Sequence, residues 1–275
     1  AVSTGTQNTL IGGLAGDALT TGYRNAVLGY NALGAETTGA ASVAIGYHAL
    51  RFQNTESYNY NIAIGAEAGQ AITTGDNNTI VGGLAGDALT TGGRNVAIGL
   101  GALGTEDTTG KAVAIGYGAL GTQNAASDSY NVAVGYEAGN DITTGTYNTI
   151  LGAQAMSVGI TTGDYNIAIG NAAGQALTSG ERNVLVGTAT GDAITTGDYN
   201  VAVGHGALSA EDGHGYNTAI GYKALNVQNA GANAHNVAVG YEAGKLVSTG
   251  VNNTLIGGLA GDALTTGTNN VAMGY

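Results

Sequence analysis

A pentad of the form Asn-x-x-aliphatic-Gly recurs sixteen times along this chain. It begins at positions 8, 25, 42, 61, 78, 95, 112, 131, 148, 166, 183, 200, 217, 236, 253 and 270. Eleven of the fifteen steps are 17 residues, three are 19 (after 42, 112 and 217), and one is 18 (after 148). A repeat this short constrains the fold more than any other feature. Seventeen residues cannot hold a βαβ crossover or a pair of packed helices. Glycine every few residues also works against helix, at about 1 kcal/mol each relative to alanine. The apolar tetrad is rich in Val, Ile and Thr and only three or four residues long, so it reads as a short strand. One strand per glycine-cornered coil is the pattern of an all-β parallel solenoid, or β-roll, of about 16 coils over residues 1–275 as a single domain. Coils stacked at the strand spacing of about 4.8 Å would extend roughly 75–80 Å.

A longer period overlies the short one. Residues 8–77, 78–147 and 183–252 align as 70-residue blocks, and residues 148–182 are two further coils between blocks. Within the unit, position 1 is Asn in 14 of 16 copies, Ser42 and Ala112 being the exceptions. Position 5 is Gly in all 16, and position 8 is Ala in every complete copy but the one with Thr190. Asn at a corner can bond neighbouring backbone and its own copies in adjacent coils, which predicts a ladder. The invariant Gly predicts either a positive φ or a close approach of chains.

Successive strand residues point to opposite faces. Positions 2 and 4 therefore share one face and position 3 takes the other. In Val96-Ala97-Ile98, Val113-Ala114-Ile115 and Val132-Ala133-Val134 all three are apolar. One face must line the coil interior with Ala at position 8 and the aliphatic residues at position 12, such as Leu19, Ile72 and Leu89. The other needs a second surface, and another chain is its simplest source. A size exchange also runs through the repeat. Tyr at position 6 accompanies Ala at position 3, as in Ala44/Tyr47 and Ala133/Tyr136, whereas Leu or Ile at position 3 accompanies a small residue, as in Leu10/Gly13 and Ile80/Gly83. The expectation is that positions 3 and 6 share one space, within a chain or across an interface.

Composition removes several classes. The chain has 275 residues with 50 Gly, no Pro, no Cys and no Trp. Collagen needs Pro and a strict Gly period, and a disulfide scaffold needs Cys. Apolar runs are too short to span a membrane as a helix. A net charge of −12 opposes nucleic acid and anionic lipid as partners.

Little in the sequence points to chemistry. The four His (His48, His205, His214 and His235) have no Cys partners and no metal-ligand spacing. Glu211-Asp212-Gly213-His214 reads as a polar loop. Asp17, Asp87, Asp192 and Asp262 recur, but Gln70, Asn140 and Gln175 replace them in other coils, against a calcium roll. No nucleophile–base–acid set repeats, so the expectation is a non-enzyme with no cofactor and no metal. The Thr-Thr-Gly corners could form an ice-binding face, but adjacent residues point opposite ways, and hydroxyls at a corner are as well used on backbone. Several Tyr near the position-1 Asn, among them Tyr60, Tyr130, Tyr165 and Tyr199, are expected to be exposed.

The three 19-residue coils place their extra residues alike, at 51–60, 121–130 and 226–235, each with a Gln-Asn pair. Phe52, Gln53, Asn54, Gln123, Asn124, Gln228 and Asn229 are therefore the candidate partner-binding residues, because insertions in solenoids collect on one face and that face often binds.

The tetrads Val-Ala-Ile-Gly and Val-Ala-Val-Gly at 43–46, 96–99, 113–116, 132–135, 201–204 and 237–240, with Asn before many of them and Tyr-x-Ala after several, resemble the head repeats of trimeric autotransporter adhesins. Similar repeats occur in phage and viral tail or surface fibres. The resemblance covers essentially the whole chain. It implies a left-handed roll, a homotrimer around a common axis, an extracellular place on a cell surface or virion fibre, and a glycan or protein receptor. The function it implies is that of a rigid, adhesive fibre segment; the alternative is a discrete ligand- or ice-binding solenoid. Both ends fall mid-unit, as expected of a segment of a longer fibre.

Overall fold

The structure, a computed structural model, describes residues 2–275. It holds sixteen three-residue strands, from β1 (Thr9–Ile11) to β16 (Val271–Met273), one per repeat, with no helix among the described residues. The fold is a parallel β-solenoid of about sixteen turns. Two compact units divide it, one running to Glu137 and the other from Ala138. In the first unit eight strands pair in chain order, each shifted by one whole coil: Ala97 lies opposite Ile80 on one side and Ala114 on the other. The second unit repeats this register, with Leu185 between Ala168 and Ala202.

The strand centre points inward. Position 3 is fully buried in nearly every coil, for example Ala44, Ile80, Ile150 and Leu255, while positions 2 and 4 are half-buried or exposed. Position 8 completes the interior with buried Ala, and at the one exception the hydroxyl of buried Thr190 donates to the Gly204 carbonyl.

The expected sharing of space between positions 3 and 6 does not occur within the chain. Ala44 is fully buried whereas Tyr47 is 49% exposed, on the opposite side of the sheet. Position 3 compensates instead with position 9. Six coils carry Leu at position 9 (Leu33, Leu50, Leu103, Leu120, Leu208 and Leu225), all fully buried, and position 3 in those coils is Ala or Val. Coils with Leu or Ile at position 3 carry Gly at position 9, except the 18-residue coil, where Met156 pairs with Ile150. At Gly86 a Cβ would sit 3.1 Å from Ile80 Cδ1 and 2.9 Å from Leu89 Cδ1, so the neighbours already fill that space. Position 12 follows the same exchange. It is aliphatic where position 9 is Gly, as at Leu19, Ile72 and Leu89, and Glu or Gln where position 9 is Leu.

The Asn ladder forms as expected. The Asn side chains tie one coil to the next: Asn183 Oδ1 accepts from the Asn200 N–H at 2.9 Å, and Asn183 Nδ2 donates to the Gly197 carbonyl at 2.8 Å. Asn25, Asn78 and Asn166 repeat the pattern, and all are buried. The amide thereby satisfies one donor and one acceptor that the turning chain would leave unpaired in the core.

Candidate functional site

Three features of the surface and one of the interior carry functional meaning, and each grows from a fixed repeat position. Positions 2 and 4 form the first. With position 3 turned inward, the aliphatic side chains of position 4, and Val, Ile or Thr at position 2 in all coils but the one with Ala26, line up coil after coil on the outer side of the sheet. Ile62 and Ile64 are 37% and 38% exposed, and Ile167 is 37%. Seven steps at the strand spacing make each unit's stripe roughly 34 Å long.

Aromatic ladders flank this stripe. At position 6, Tyr117 stacks on Tyr136 at 5.3 Å and Tyr222 on Tyr241 at 5.4 Å between ring centres. The last residue of every coil, just before the next position 1, is a left-handed corner, with φ between 50° and 64° from Arg24 to Asn269. That corner turns its side chain outward just before the inward Asn. In the second unit Tyr147 stacks on Tyr165 at 4.9 Å, Arg182 lies between the rings of Tyr165 and Tyr199, and Tyr216 stacks on both Tyr199 and His235. The expected exposure of these Tyr holds: Tyr60 is 56% exposed, and Tyr130, Tyr165 and Tyr199 are exposed as well. The role of Arg182 in the column was missed by the sequence reading, although its place one period from Tyr165 and Tyr199 signals it.

The long coils divide the candidate residues. Phe52, Asn54, Asn124 and Asn229 are exposed. Gln53, Gln123 and Gln228 are fully buried, so the Gln of each pair offers a partner no surface. The reason lies at position 12, which faces the interior, so each Gln lies above a buried Glu of the preceding coil. Gln53 Nε2 donates to Glu36 Oε2 at 3.1 Å, and Gln123 Nε2 to Glu106 Oε2 at 2.8 Å. Each Gln then accepts from the next Asn of the ladder: Asn61, Asn131 and Asn236 at 2.8, 2.8 and 2.7 Å. Asn54 Oδ1 is itself engaged with the Thr37 hydroxyl at 2.9 Å.

The third dyad lacks its support. Around Gln53 stand the Ser42 hydroxyl at 3.0 Å and Asn59, whose amide donates to Glu36 Oε2 at 3.2 Å. Gln123 has the Ser129 hydroxyl at 3.1 Å. The corresponding loop residue beside Gln228 is Ala234, and Glu211 Oε2, Gln228 Nε2 and Asn217 Nδ2 are all buried without partners. Replacing Ala234→Ser should supply the missing hydroxyl and raise stability by about 1 kcal/mol. A urea-unfolding midpoint unchanged or lowered in that variant would show that the hydroxyl does not reach the dyad.

Glu211, Asp212 and His214 bring one metal-type ligand atom each within 4.8 Å of one another. The Glu already has a structural task. Its Oε1 accepts from the His214 N–H at 3.1 Å, as Glu36 Oε1 accepts from the Gly39 N–H at 2.7 Å in the sister coil. Burial pushes the Glu211 carboxyl up, and the hydrogen bond from His214 opposes the shift. The corner hydroxyls are engaged too: the first Thr of several pairs donates to the next coil's carbonyl, as Thr73 does to Thr90 at 3.1 Å and Thr195 to Asp212 at 2.9 Å.

Comparison of the chain with known protein families, with curated proteins and with solved structures finds no match. No helix among the described residues is long and apolar enough to cross a membrane.

Proposed function

We propose that this chain is a structural and adhesive segment of a surface or tail fibre, built by three copies that pack their aliphatic stripes together. The observation that supports it is the outward column of aliphatic residues at position 4, joined by Val or Ile at position 2 in most coils. A side chain of this kind contributes roughly 1.5–3 kcal/mol when fully buried, and a unit of eight strands presents a whole column of them half in water. Position 2 admits Thr in five coils, but position 4 is apolar in all sixteen, where a polar residue would serve a free surface better, so that column is suited to a partner with the same repeat. The likeness of the tetrads to adhesin head repeats supports three copies as the number. The Thr-Thr-Gly corners give no comparable support to an ice-binding role, because the first hydroxyl of the pair is spent on the neighbouring backbone in the coils described above.

Solution mass tests the reading. The chain is expected to sediment at three times its 26.9 kDa. The variant Ile62→Asp with Ile167→Asp, one charge on the stripe of each unit, is expected to sediment as a single chain with its far-ultraviolet circular dichroism preserved. A wild-type chain that stays monomeric at micromolar concentration would defeat the proposal.

A further inference from the structure

A shallow cleft of about 250 Å³ opens in the wall of the first unit, lined by Leu14, Asp17, Asn31, Gly34, Arg51 and Phe52. None of these residues belongs to the aliphatic stripe. The cleft follows from the repeat. Position 10 holds Asp17, Gly34 and Arg51 in three successive coils, with Phe52 beside Arg51. The smallest residue between two long ones leaves a notch one coil deep. A Cβ on Gly34 would fall 1.9 Å from Asn31 Oδ1, so the Asn31 amide folds over the ground a side chain would take.

The walls of the notch are chemically mixed. Phe52, the chain's only Phe, is 46% exposed, and the Arg51 guanidinium lies 4.8 Å from its ring centre. Leu14 on the other side is 49% exposed. The same three positions in the later blocks hold Asp87, Gly104 and Gly121 with Thr122, and Asp192, Ser209 and Asn226 with Val227. The carboxylate recurs in all three blocks. Only the first block adds an aromatic ring and a cation.

We propose that this notch binds a single neutral saccharide ring, a reading that deepens, and for its purpose rests on, the adhesive role above. A pyranose has an apolar face of C–H groups and a rim of hydroxyls. Phe52 and Leu14 match the apolar face. Asp17 accepts from hydroxyls, whereas Arg51 and Asn31 donate to them. The charges of Asp17 and Arg51 offset each other within the cleft, and the chain's net charge of −12 repels anionic sugars. A volume below the ~300–1,000 Å³ of drug-sized sites suits one ring rather than an oligosaccharide. An open site of this size binds weakly, with a dissociation constant on the order of 1 mM, and an assembled fibre would gain its strength from repetition.

The test is saturation-transfer NMR on the full chain with a panel of neutral monosaccharides, with sialic acid as the anionic control. At least one neutral sugar is expected to receive saturation. The variant Arg51→Gly with Phe52→Thr, which installs the residues of the second block, is expected to weaken that sugar at least about tenfold (about 1.4 kcal/mol). Asp17→Asn is expected to weaken it less. Because these side chains are on the surface, both variants should keep the wild-type circular dichroism and solution mass. Silence from every neutral sugar, a response to sialic acid alone, or undiminished binding by the double variant would each overturn the proposal. Binding by a chain that proves monomeric would support the notch and defeat the trimer, so the two readings fail separately.

Discussion

Replacing Gly99→Ala is expected to cost more than about 4 kcal/mol, the range reached only when packing or backbone is broken outright. Gly99 closes the strand Val96–Ile98 at φ +133°, a conformation that L side chains rarely adopt. A Cβ there would lie 2.3 Å from the Gly116 carbonyl oxygen and 2.6 Å from its carbon. Both atoms belong to the backbone of the next coil, which the parallel ladder holds in place, so nothing nearby can yield. Gly101→Ala is the control. Its φ is +65° and nothing lies within 4 Å of the added carbon, so only the left-handed penalty of about 1–2 kcal/mol applies. Urea unfolding of the two variants beside the wild type measures the difference. Equal losses at both positions would show that the close approach of coils does not matter.

The second large effect is expected at Asn183→Ala. The substitution leaves the Asn200 N–H and the Gly197 carbonyl without partners, and it also removes the 3.1 Å bond to Asn166 Oδ1. Asn183 is fully buried, so water does not replace what is lost. At about 1–3 kcal/mol for each unsatisfied group, the loss should total about 2–5 kcal/mol. Amide hydrogen exchange gives the local readout, with protection of the Asn200 N–H falling first. If that proton keeps its wild-type protection, the side chain is not its acceptor in solution.

The ladder also shows how much of the architecture could be read from residues. Sixteen pentads at a period of 17 were enough for the solenoid, the strand positions and the roles of Asn and Gly. The two breaks in the Asn column could not be interpreted from the sequence. Ser42 and Ala112 both begin 19-residue coils. In a 17-residue coil the Asn amide donates to the carbonyl fourteen residues on, as Asn25 does to Gly39 and Asn95 to Thr109. In a long coil that position falls on the exposed bulge, at Glu56 or Ala126, and the acceptor is gone. Asn217 keeps the amide in the third long coil, and its Nδ2 has no partner. The exceptions are thus the rule applied to a longer loop.

The candidate site was legible in part, for a related reason. Gln53 and Asn54 look equally polar in the sequence, and only the path of the coil sends one inward and the other out. The signal was nevertheless present: wherever Glu or Gln stands at position 12, Leu stands at position 9, and wherever an aliphatic residue stands there, position 9 is Gly. This exchange between positions 9 and 12 marks position 12 as interior, because side chains exchange volume only when they border the same enclosed space.

By itself, then, the sequence determined the period, the parallel stacking and the places where only Gly or Asn fits, because each of these follows from chain length and backbone hydrogen bonding within a single coil. Only the tertiary structure decided which side of an all-apolar strand faces in. With Val-Ala-Ile, both faces can be buried, and the choice falls on the one whose small central residue leaves room for Leu at position 9 or an aliphatic residue at position 12. The same closure sets Glu36 under Gln53 and Asp17 across a glycine floor from Arg51. These pairs are 17 or 34 residues apart in the chain, and it is the stacking of coils at the strand spacing that makes them neighbours.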